Sequence, residues 1–175
     1  MITALIIIGS LIVLIVLFGF LSPRYARLHR SIEIKASPEV IWEQMIDLKN
    51  FVGNWSPWSK LDPNMKQEFS GSEKGLGARY FWSGDPKKVG EGTMEIIEVK
   101  EGKKVDTKIA FKGRGTAIAC FILEDNGSGT CKVTWDFESD NGMNPIARIF
   151  GRMMEKFIGP DYEKGLRSLK DHCEK

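Results

Sequence analysis

The residue types that most often carry catalysis are few in this chain, and they are not grouped. Its histidines are His29, which follows a long apolar segment, and His172, which stands beside Cys173 near the end of the sequence. No segment has the pattern of a nucleophile elbow, of H-E-x-x-H or of a phosphate-binding loop. The sequence therefore predicts no catalytic residues, no metal ligands and no cofactor.

Three charged residues on predicted strands or in the turns between them are candidates for polar contacts with a ligand. Glu91 lies between Gly90 and Gly92, and strand alternation places it on the outer face of a sheet unless a glycine bulge turns it inward. An outward Glu91 would form a surface salt bridge, whereas an inward one would be an acid in a pocket. Arg79 and Arg114 are the basic candidates for a ligand headgroup, and each is also compatible with a solvated strand position.

The segment NWSPWSKLDP, residues 54–63, places Trp55 and Trp58 in a stretch of turn-forming residues. Ser-Pro and Asp-Pro both push the residue before the proline out of the helical region. Two interpretations stay open: the indoles pack in the core of a small domain, or they close over a ligand. The proline between them favours a lid, because a rigid loop holds large side chains at a low cost in entropy.

The first 21 residues, MITALIIIGSLIVLIVLFGFL, contain no charged side chain. As a helix this segment would rise about 30 Å, which is the thickness of a bilayer core. A signal peptide would need a basic n-region and a small-residue cleavage site, and the segment has neither. We therefore predict a single-pass membrane anchor over residues 1–22, with residues 2–21 in the membrane.

Basic residues follow the apolar segment directly. Arg24, Arg27 and Arg30 lie in a predicted juxtamembrane linker, residues 23–30, and the positive-inside rule places this side in the cytoplasm. The three cysteines form no C-x-x-C pair, as is typical of free thiols in a reducing compartment. We therefore expect a cytoplasmic domain over residues 31–175.

The overall charge limits the partners of that domain. The chain has 25 basic and 23 acidic side chains, with no basic run beyond the juxtamembrane arginines. This near-balance argues against a nucleic-acid groove. We expect a monomer that contacts the membrane and a small molecule.

The domain is predicted to contain one antiparallel sheet. Residues 31–36 alternate as a half-buried strand does, and two short helical patterns follow from Ser37. Glycine turns then separate six further strand patterns, at residues 66–71, 78–82, 90–99, 104–111, 116–123 and 131–138. Cys120 and Cys131 fall on the last two strands, which leaves a contact between them across a hairpin open.

A long amphipathic helix is predicted after the strands. Apolar residues recur at helical spacing behind Pro145, and Gly159-Pro160 is expected to kink or break the helix. An open sheet must bury its apolar face, and this helix is the element long enough to lie across it.

The motifs RSIEIKASPEVIWEQMIDLKNF, WSPW, YFWSG, VGEGTMEI, VTW and IGPDYEKGLRSLK resemble the SRPBCC superfamily. The similarity is greatest to the polyketide cyclase/dehydrase-like branch of the START-type, helix-grip proteins, and it covers about residues 30–171. It implies an α+β fold like those of START and Bet v 1: a curved antiparallel sheet of about seven strands, two short helices after the first strand, and a C-terminal helix across the sheet. Lys112-Gly113 and Ser139 depart from the usual pattern at strand ends.

The resemblance also implies a deep apolar cavity between the helix and the sheet. The residues expected to line it or its mouth are Trp55, Trp58, Tyr80, Trp82, Met94, Ile96, Ile109, Phe111, Phe121, Trp135, Met153 and Phe157. Packing of these residues in a filled core is the alternative.

Three functions are compatible with this sequence. The favoured one is a membrane-tethered module that binds a lipid or another hydrophobic small molecule. The family resemblance leaves an enzyme open as an alternative, a cyclase or dehydrase whose chemistry rests on cavity shape and one or two polar groups. A protein-interaction module is the third, because one fold hosts many functions.

Overall fold

The computed structural model describes residues 2–113 and 115–175. Its helices and strands are α1 (Ile2–Leu21), β1 (Tyr25–Ile34), α2 (Pro38–Ile46), α3 (Leu48–Asn50), a π-helical turn (Phe51–Trp55), β2 (Lys66–Gly71), β3 (Ala78–Ser83), β4 (Glu91–Lys100), β5 (Lys104–Phe111), β6 (Gly115–Asp125), β7 (Cys131–Asp140), α4 (Pro145–Arg152) and α5 (Met154–Cys173).

The seven strands form one curved antiparallel sheet in the order β1-β7-β6-β5-β4-β3-β2. The short helices follow β1, and the C-terminal helix packs across the sheet, so the predicted α+β, helix-grip fold class is confirmed. Helix α1 is long and apolar enough to cross a membrane, and almost all of it is exposed. Length and composition alone make it a candidate span.

Strand β1 begins earlier than predicted. Residues 25–30 are not a linker, because they pair with β7 in a continuous register from Tyr25 to Ile34. Two of the arginines that suggested a linker, Arg24 and Arg27, pair with carboxylates of β7, whereas Arg30 lies on the inner side of β1 toward α5. Arg24 donates to Asp140 at 2.6 Å, and Arg27 donates to Glu138 at 2.6 Å. Arg27 and His29 therefore alternate with the buried Ala26 and Leu28, as in any half-buried strand.

The pair between Arg24 and Asp140 closes the end of the sheet next to α1. The guanidinium hydrogen bond lowers the pKa of Asp140 to about 2, from an ordinary value of 3.8. The Gly142 N–H also donates to this carboxylate, at 2.8 Å, and Asn144 then caps α4 by accepting from the Ile146 N–H at 3.0 Å. This chain of polar contacts fixes how the sheet leads into the C-terminal helices.

The sheet has one inner and one outer face. The inner face, toward α5, carries the alternating apolar residues of every long strand, such as Val105 and Ile109 of β5. The outer face carries charged residues, such as Lys108 of the same strand. Alternation of this kind is typical of an antiparallel sheet with one covered face.

The C-terminal helix is interrupted at Met153, not at Gly159-Pro160 as predicted. Helix α5 continues through Pro160 without a break. Gly159 instead allows the side chain of Arg30 to pass close to the helix. A Cβ at Gly159 would lie 2.7 Å from an Arg30 guanidinium nitrogen. Arg30 passes this point to bind Glu155 and Glu163, which fixes α5 to β1. Helix α5 packs chiefly along β1 and on the π-helical turn.

Candidate functional site

A group of aromatic side chains fills the space between α5 and the inner face of the sheet. We call it the inner cluster, and its members are Phe51, Trp55, Phe121, Trp135 and Tyr162. The rings meet mostly edge to face, with centroids 4.6 Å apart for Phe51 and Trp55 and 5.3 Å for Trp55 and Phe121. Trp135 and Tyr162 stack, with centroids 3.9 Å apart. Such geometries add to the energy of burial.

Helix α5 approaches the inner cluster closely because it carries a glycine there. A Cβ at Gly165 would lie 2.7 Å from the Trp135 ring and 3.2 Å from the Pro57 ring. A larger residue would push the helix away from the sheet. The space that the resemblance assigns to a cavity is thus occupied by side chains at this level. Two surface pockets, of about 240 and 470 Å³, lie elsewhere, beside β2 and beside α2.

The two tryptophans of the segment 54–63 have different surroundings. Trp55 is not on a loop over a mouth: it ends the π-helical turn, which the Ser56 N–H closes by donating to the Phe51 carbonyl at 2.7 Å. This turn directs the indole inward, and Trp55 is 1 % exposed. The core interpretation therefore describes Trp55.

Trp58 is half-buried and lies over the inner cluster. We call residues 56–63 the Trp58 loop. Its indole meets Trp135 and Tyr162 edge to face, with centroids 5.7 and 6.0 Å apart. The Trp58 N–H donates to an Asp161 carboxylate oxygen of α5 at 3.3 Å. The loop thus covers the inner cluster and is held to α5 by this hydrogen bond and by the ring contact with Tyr162.

Four of the five indole N–H groups have acceptors. Trp42 donates to Glu101 at 2.9 Å, Trp55 to the Gln44 carbonyl at 3.0 Å, Trp58 to Asp161 at 3.3 Å, and Trp82 to the Val89 carbonyl at 3.1 Å. The fifth donor, on Trp135, has no acceptor within the described part of the chain, although Trp135 is 1 % exposed. An unpaired buried donor costs about 1–3 kcal/mol. It belongs to the ring that the Trp58 indole covers, with centroids 5.7 Å apart, which makes it the most informative polar atom of the interior.

A second set of rings crosses the inner face toward the β2 edge. We call it the edge row, and its members are Phe69, Tyr80, Trp82 and Phe111. The Trp82 indole reaches across β4 to Phe111 because Gly92 stands between them; the ring lies where a side chain of Gly92 would be. Burial raises the pKa of Tyr80 to about 12, so its phenol stays neutral at physiological pH. Phe69, at the strand edge, was not predicted to belong to the site.

The other predicted lining residues divide into two groups. Met94, Ile96 and Ile109 are buried on the inner face with the core. Met153 and Phe157 do not lie in the interior, because they are 39 % and 58 % exposed on the C-terminal helices.

Met153 and Phe157 belong to a longer exposed set. With Ile146 and Phe150, which are 57 % and 64 % exposed, they follow one helical face through α4 and into α5. We call these four residues the apolar stripe. Their spacing was visible in the sequence, but it predicted a face toward the sheet.

The polar candidates lie on the outer face. Glu91 accepts from Lys112 at 2.9 Å, so it forms a surface salt bridge and no glycine bulge turns it inward. Arg79 pairs with Glu95 at 3.0 Å on the same face. Arg114 lies outside the described residues.

The remaining titratable groups are not gathered into a metal site. The described residues contain no group of three His, Cys, Asp or Glu side chains placed to hold a metal ion. His29 contacts Asp136 on the exposed outer face. Cys120 points to the outer face and Cys131 to the inner face, so they do not meet across the hairpin. Burial raises the pKa of Cys120 to about 12.

Comparison with known proteins agrees with this fold. Residues 25–174 match the family described as polyketide cyclase / dehydrase and lipid transport. No curated protein matches the chain.

Solved structures with the same fold come from several organisms. A protein of Thermobifida fusca aligns with a TM-score of 0.65 at 20 % identity, covering 84 % of this chain and 92 % of the other. The truncated norcoclaurine synthase of Thalictrum flavum aligns with a TM-score of 0.58 at 15 % identity, covering 85 % and 92 %. Ginseng major latex-like protein 151 from Panax ginseng aligns with a TM-score of 0.57 at 16 % identity, covering 86 % and 99 %. At these identities the likeness shows the fold alone.

Proposed function

This chain belongs to the polyketide cyclase/dehydrase and lipid transport family, and on that premise we propose that it is a membrane-tethered module that binds a lipid or another apolar small molecule. The ligand lies between helix α5 and the inner face of the sheet, in the space that the Trp58 indole vacates over Trp135 and Tyr162, and α1 is the tether. The observation that carries the proposal is the unpaired, buried N–H of Trp135, whose ring the Trp58 indole covers.

A ligand with one acceptor oxygen and a hydrocarbon body matches this site. Its oxygen accepts from the Trp135 N–H, which removes the penalty of an unpaired buried donor. Its hydrocarbon body contacts the aromatic rings of the inner cluster, where apolar surface is favourably removed from water. An acyl ester, or a fatty acid that binds in its neutral, protonated form, presents a carbonyl oxygen beside a hydrocarbon body in this way. A single donor fixes the orientation of such a ligand, as polar groups do in apolar binding sites.

The ligand enters by displacing the Trp58 loop. Trp58 lies directly over Trp135 and Tyr162, and it is half-buried, so moving it breaks few contacts. Its hydrogen bond to Asp161 is the longest of the four indole bonds, at 3.3 Å. In the bound state Trp58 covers the hydrocarbon body from outside. Asp62 of the same loop is buried and accepts from the Asp85 N–H at 2.8 Å, so this end stays fixed while the part around Trp58 moves.

Native mass spectrometry of the full chain in detergent micelles, with added oleic acid, tests this proposal. Wild type is expected to retain one oleic acid molecule. Trp135→Phe keeps most of the ring but removes the N–H, so it is expected to lower the bound fraction several-fold without losing any hydrogen bond of the unliganded protein.

Trp42→Phe is the matched control, since it removes an N–H that Glu101 already accepts outside the site. It is expected to lower stability by about 0.5–1.5 kcal/mol and to leave oleic acid binding unchanged. Equal losses of binding in Trp135→Phe and Trp42→Phe, or no retention by wild type, would refute the assignment.

The tether has its own test. A span of this length and composition resists extraction by alkaline carbonate, so the full chain is expected in the membrane pellet. The basic residues after α1 support a cytoplasmic domain. A fluorescent-protein fusion after Lys175 is expected to be bright, and an alkaline phosphatase fusion there inactive. Recovery of the chain in the carbonate supernatant would contradict the tether.

A further inference from the structure

The apolar stripe is unusual for a surface helix. Ile146, Phe150, Met153 and Phe157 are each more than a third exposed, and Met143, just before α4, is 71 % exposed. Each of these side chains faces away from the sheet, although the helices that carry them pack on β1. A contiguous exposed apolar face of this kind marks a contact with another apolar phase.

Helix α4 lies against the last turn of α1. A Cβ on Gly19 would lie 2.5 Å from Pro145, so the two helices touch at their ends. Arg148 donates to the Phe20 carbonyl at 3.3 Å and lies over the Phe20 ring at 5.8 Å. Arg152 lies over the Phe18 ring at 5.7 Å. These contacts hold α4 at the level where α1 ends.

That level is the surface of the bilayer when α1 spans it. A helix of 20 residues rises about 30 Å, which matches the hydrocarbon core, so Phe18 to Leu21 reach the headgroup boundary. Helix α4 packs beside this turn and therefore lies in the interfacial region.

A basic row lies on the other face of the helices that carry the apolar stripe. Arg148, Arg152 and Lys156 recur at four-residue spacing, and none has a salt-bridge partner in the described part of the chain. Basic side chains on one face and apolar side chains on the other are the pattern of helices that lie in the surface of anionic membranes. Each such residue near the surface adds attraction to anionic lipid.

We propose that the apolar stripe inserts into the same leaflet from which α1 emerges, so that the domain lies on an anionic bilayer with the Trp58 loop beside it. The proposal rests on the membrane tether proposed above. Phe157 and Asp161 share one face of α5, and Asp161 holds Trp58. The stripe therefore ends one turn from the loop, and an acyl chain leaving the bilayer there reaches the loop without crossing water.

Photocrosslinking tests this placement in the full chain, reconstituted in vesicles of phosphatidylethanolamine and phosphatidylglycerol. Phe150→p-benzoylphenylalanine is expected to form lipid adducts several-fold more often than Ile97→p-benzoylphenylalanine. Ile97 is the matched control because it is an exposed apolar residue on the outer face of the sheet, outside both sets of rings. Replacing phosphatidylglycerol with phosphatidylcholine is expected to lower the adduct yield at position 150.

A third probe, Ile12→p-benzoylphenylalanine, reports on the tether. Lipid adducts at position 12 with none above the control at position 150 overturn the proposal and leave the tether intact. Adducts at neither position overturn the tether itself. Crosslinks from position 150 to a second copy of the chain, in place of lipid, overturn the proposal in favour of a dimer.

Discussion

The inner cluster and the apolar stripe contain similar side chains in opposite surroundings. The rings of the inner cluster are almost completely buried, and Trp55 and Trp135 are each 1 % exposed. Phe150 and Phe157 of the stripe are 64 % and 58 % exposed. Both regions lie on or against the same pair of C-terminal helices, so helix formation does not account for the difference.

The difference lies in what each helical face meets. The face of α5 that carries Tyr162 and Gly165 meets the sheet and the π-helical turn, and the space there is filled. The face that carries the stripe meets no other element of the described chain. Burial within the protein stabilises the fold, whereas an apolar face left uncovered is available to a partner. Trp58 lies between these regions and shares properties of both.

The largest expected effect concerns the inner cluster. Trp135→Ala removes a fully buried ring that contacts Phe51, Trp55, Phe121 and Tyr162. Truncation of such a residue lowers the free energy of unfolding by about 3–5 kcal/mol. Urea unfolding of the full chain in detergent, followed by near-ultraviolet circular dichroism, measures it. A loss below about 1 kcal/mol would show that the cluster is not close-packed.

A smaller effect is expected at the boundary between the regions. Trp58→Ala is predicted to lower the free energy of unfolding by less than about 1.5 kcal/mol, below the range for a filled core. The indole is half-buried, and its loss leaves little protein unsupported. The same variant is expected to retain less oleic acid in native mass spectrometry. A loss of unfolding free energy as large as that of Trp135→Ala would show that Trp58 is an ordinary core residue.

The smallest change in stability is expected in the apolar stripe. Phe150→Ser removes an exposed ring, and exposed positions usually change stability by no more than about 0.5 kcal/mol. The same urea experiment in detergent measures it, with Trp135→Ala as the reference. A loss of several kcal/mol would mean that Phe150 supports the fold and that the contrast between the regions is false.

The pKa of Asp140 tests the contact with Arg24 at the point where the sheet leads into the helices that carry the apolar stripe. The pKa of Asp140 is lowered to about 2 by Arg24, so this contact adds stability above pH 3.8 and loses it as the pH falls through about 2. Carbon-13 NMR of the Asp140 carboxyl measures the midpoint. Arg24→Gln is expected to return it toward the ordinary value, and an unchanged midpoint would assign the shift to the Gly142 N–H instead.

The sequence predicted the sheet well because its signals are local. Strand alternation between glycine turns gave β2 and β5 with their observed bounds. The predicted start of β1 was too late in the sequence, because Arg24, Arg27 and Arg30 also fit a juxtamembrane linker. The carboxylates that bind them, on β7 and on α5, lie more than 100 positions away in the sequence, so spacing alone does not reveal them.

The site was less predictable because its properties depend on distant contacts. Trp55 and Trp58 stand three positions apart with the same turn-forming neighbours, yet the π-helical turn directs one of them inward. Gly159-Pro160 predicted a break, but the glycine makes room for Arg30 of β1. The unpaired N–H of Trp135 has no signal in the sequence, since an acceptor is recognised only from the folded arrangement.

The central claim is that the Trp135 N–H beneath the Trp58 loop binds the oxygen of an apolar ligand. The most direct measurement is the nitrogen-15 spectrum of the five indole N–H groups of the full chain in micelles, recorded while oleic acid is added. The Trp135 signal is predicted to move downfield as its proton gains an acceptor, and the Trp58 signal to move with it. The Trp42 signal, already bonded to Glu101, is predicted to stay. A Trp135 signal that stays unchanged at saturating oleic acid would contradict the claim.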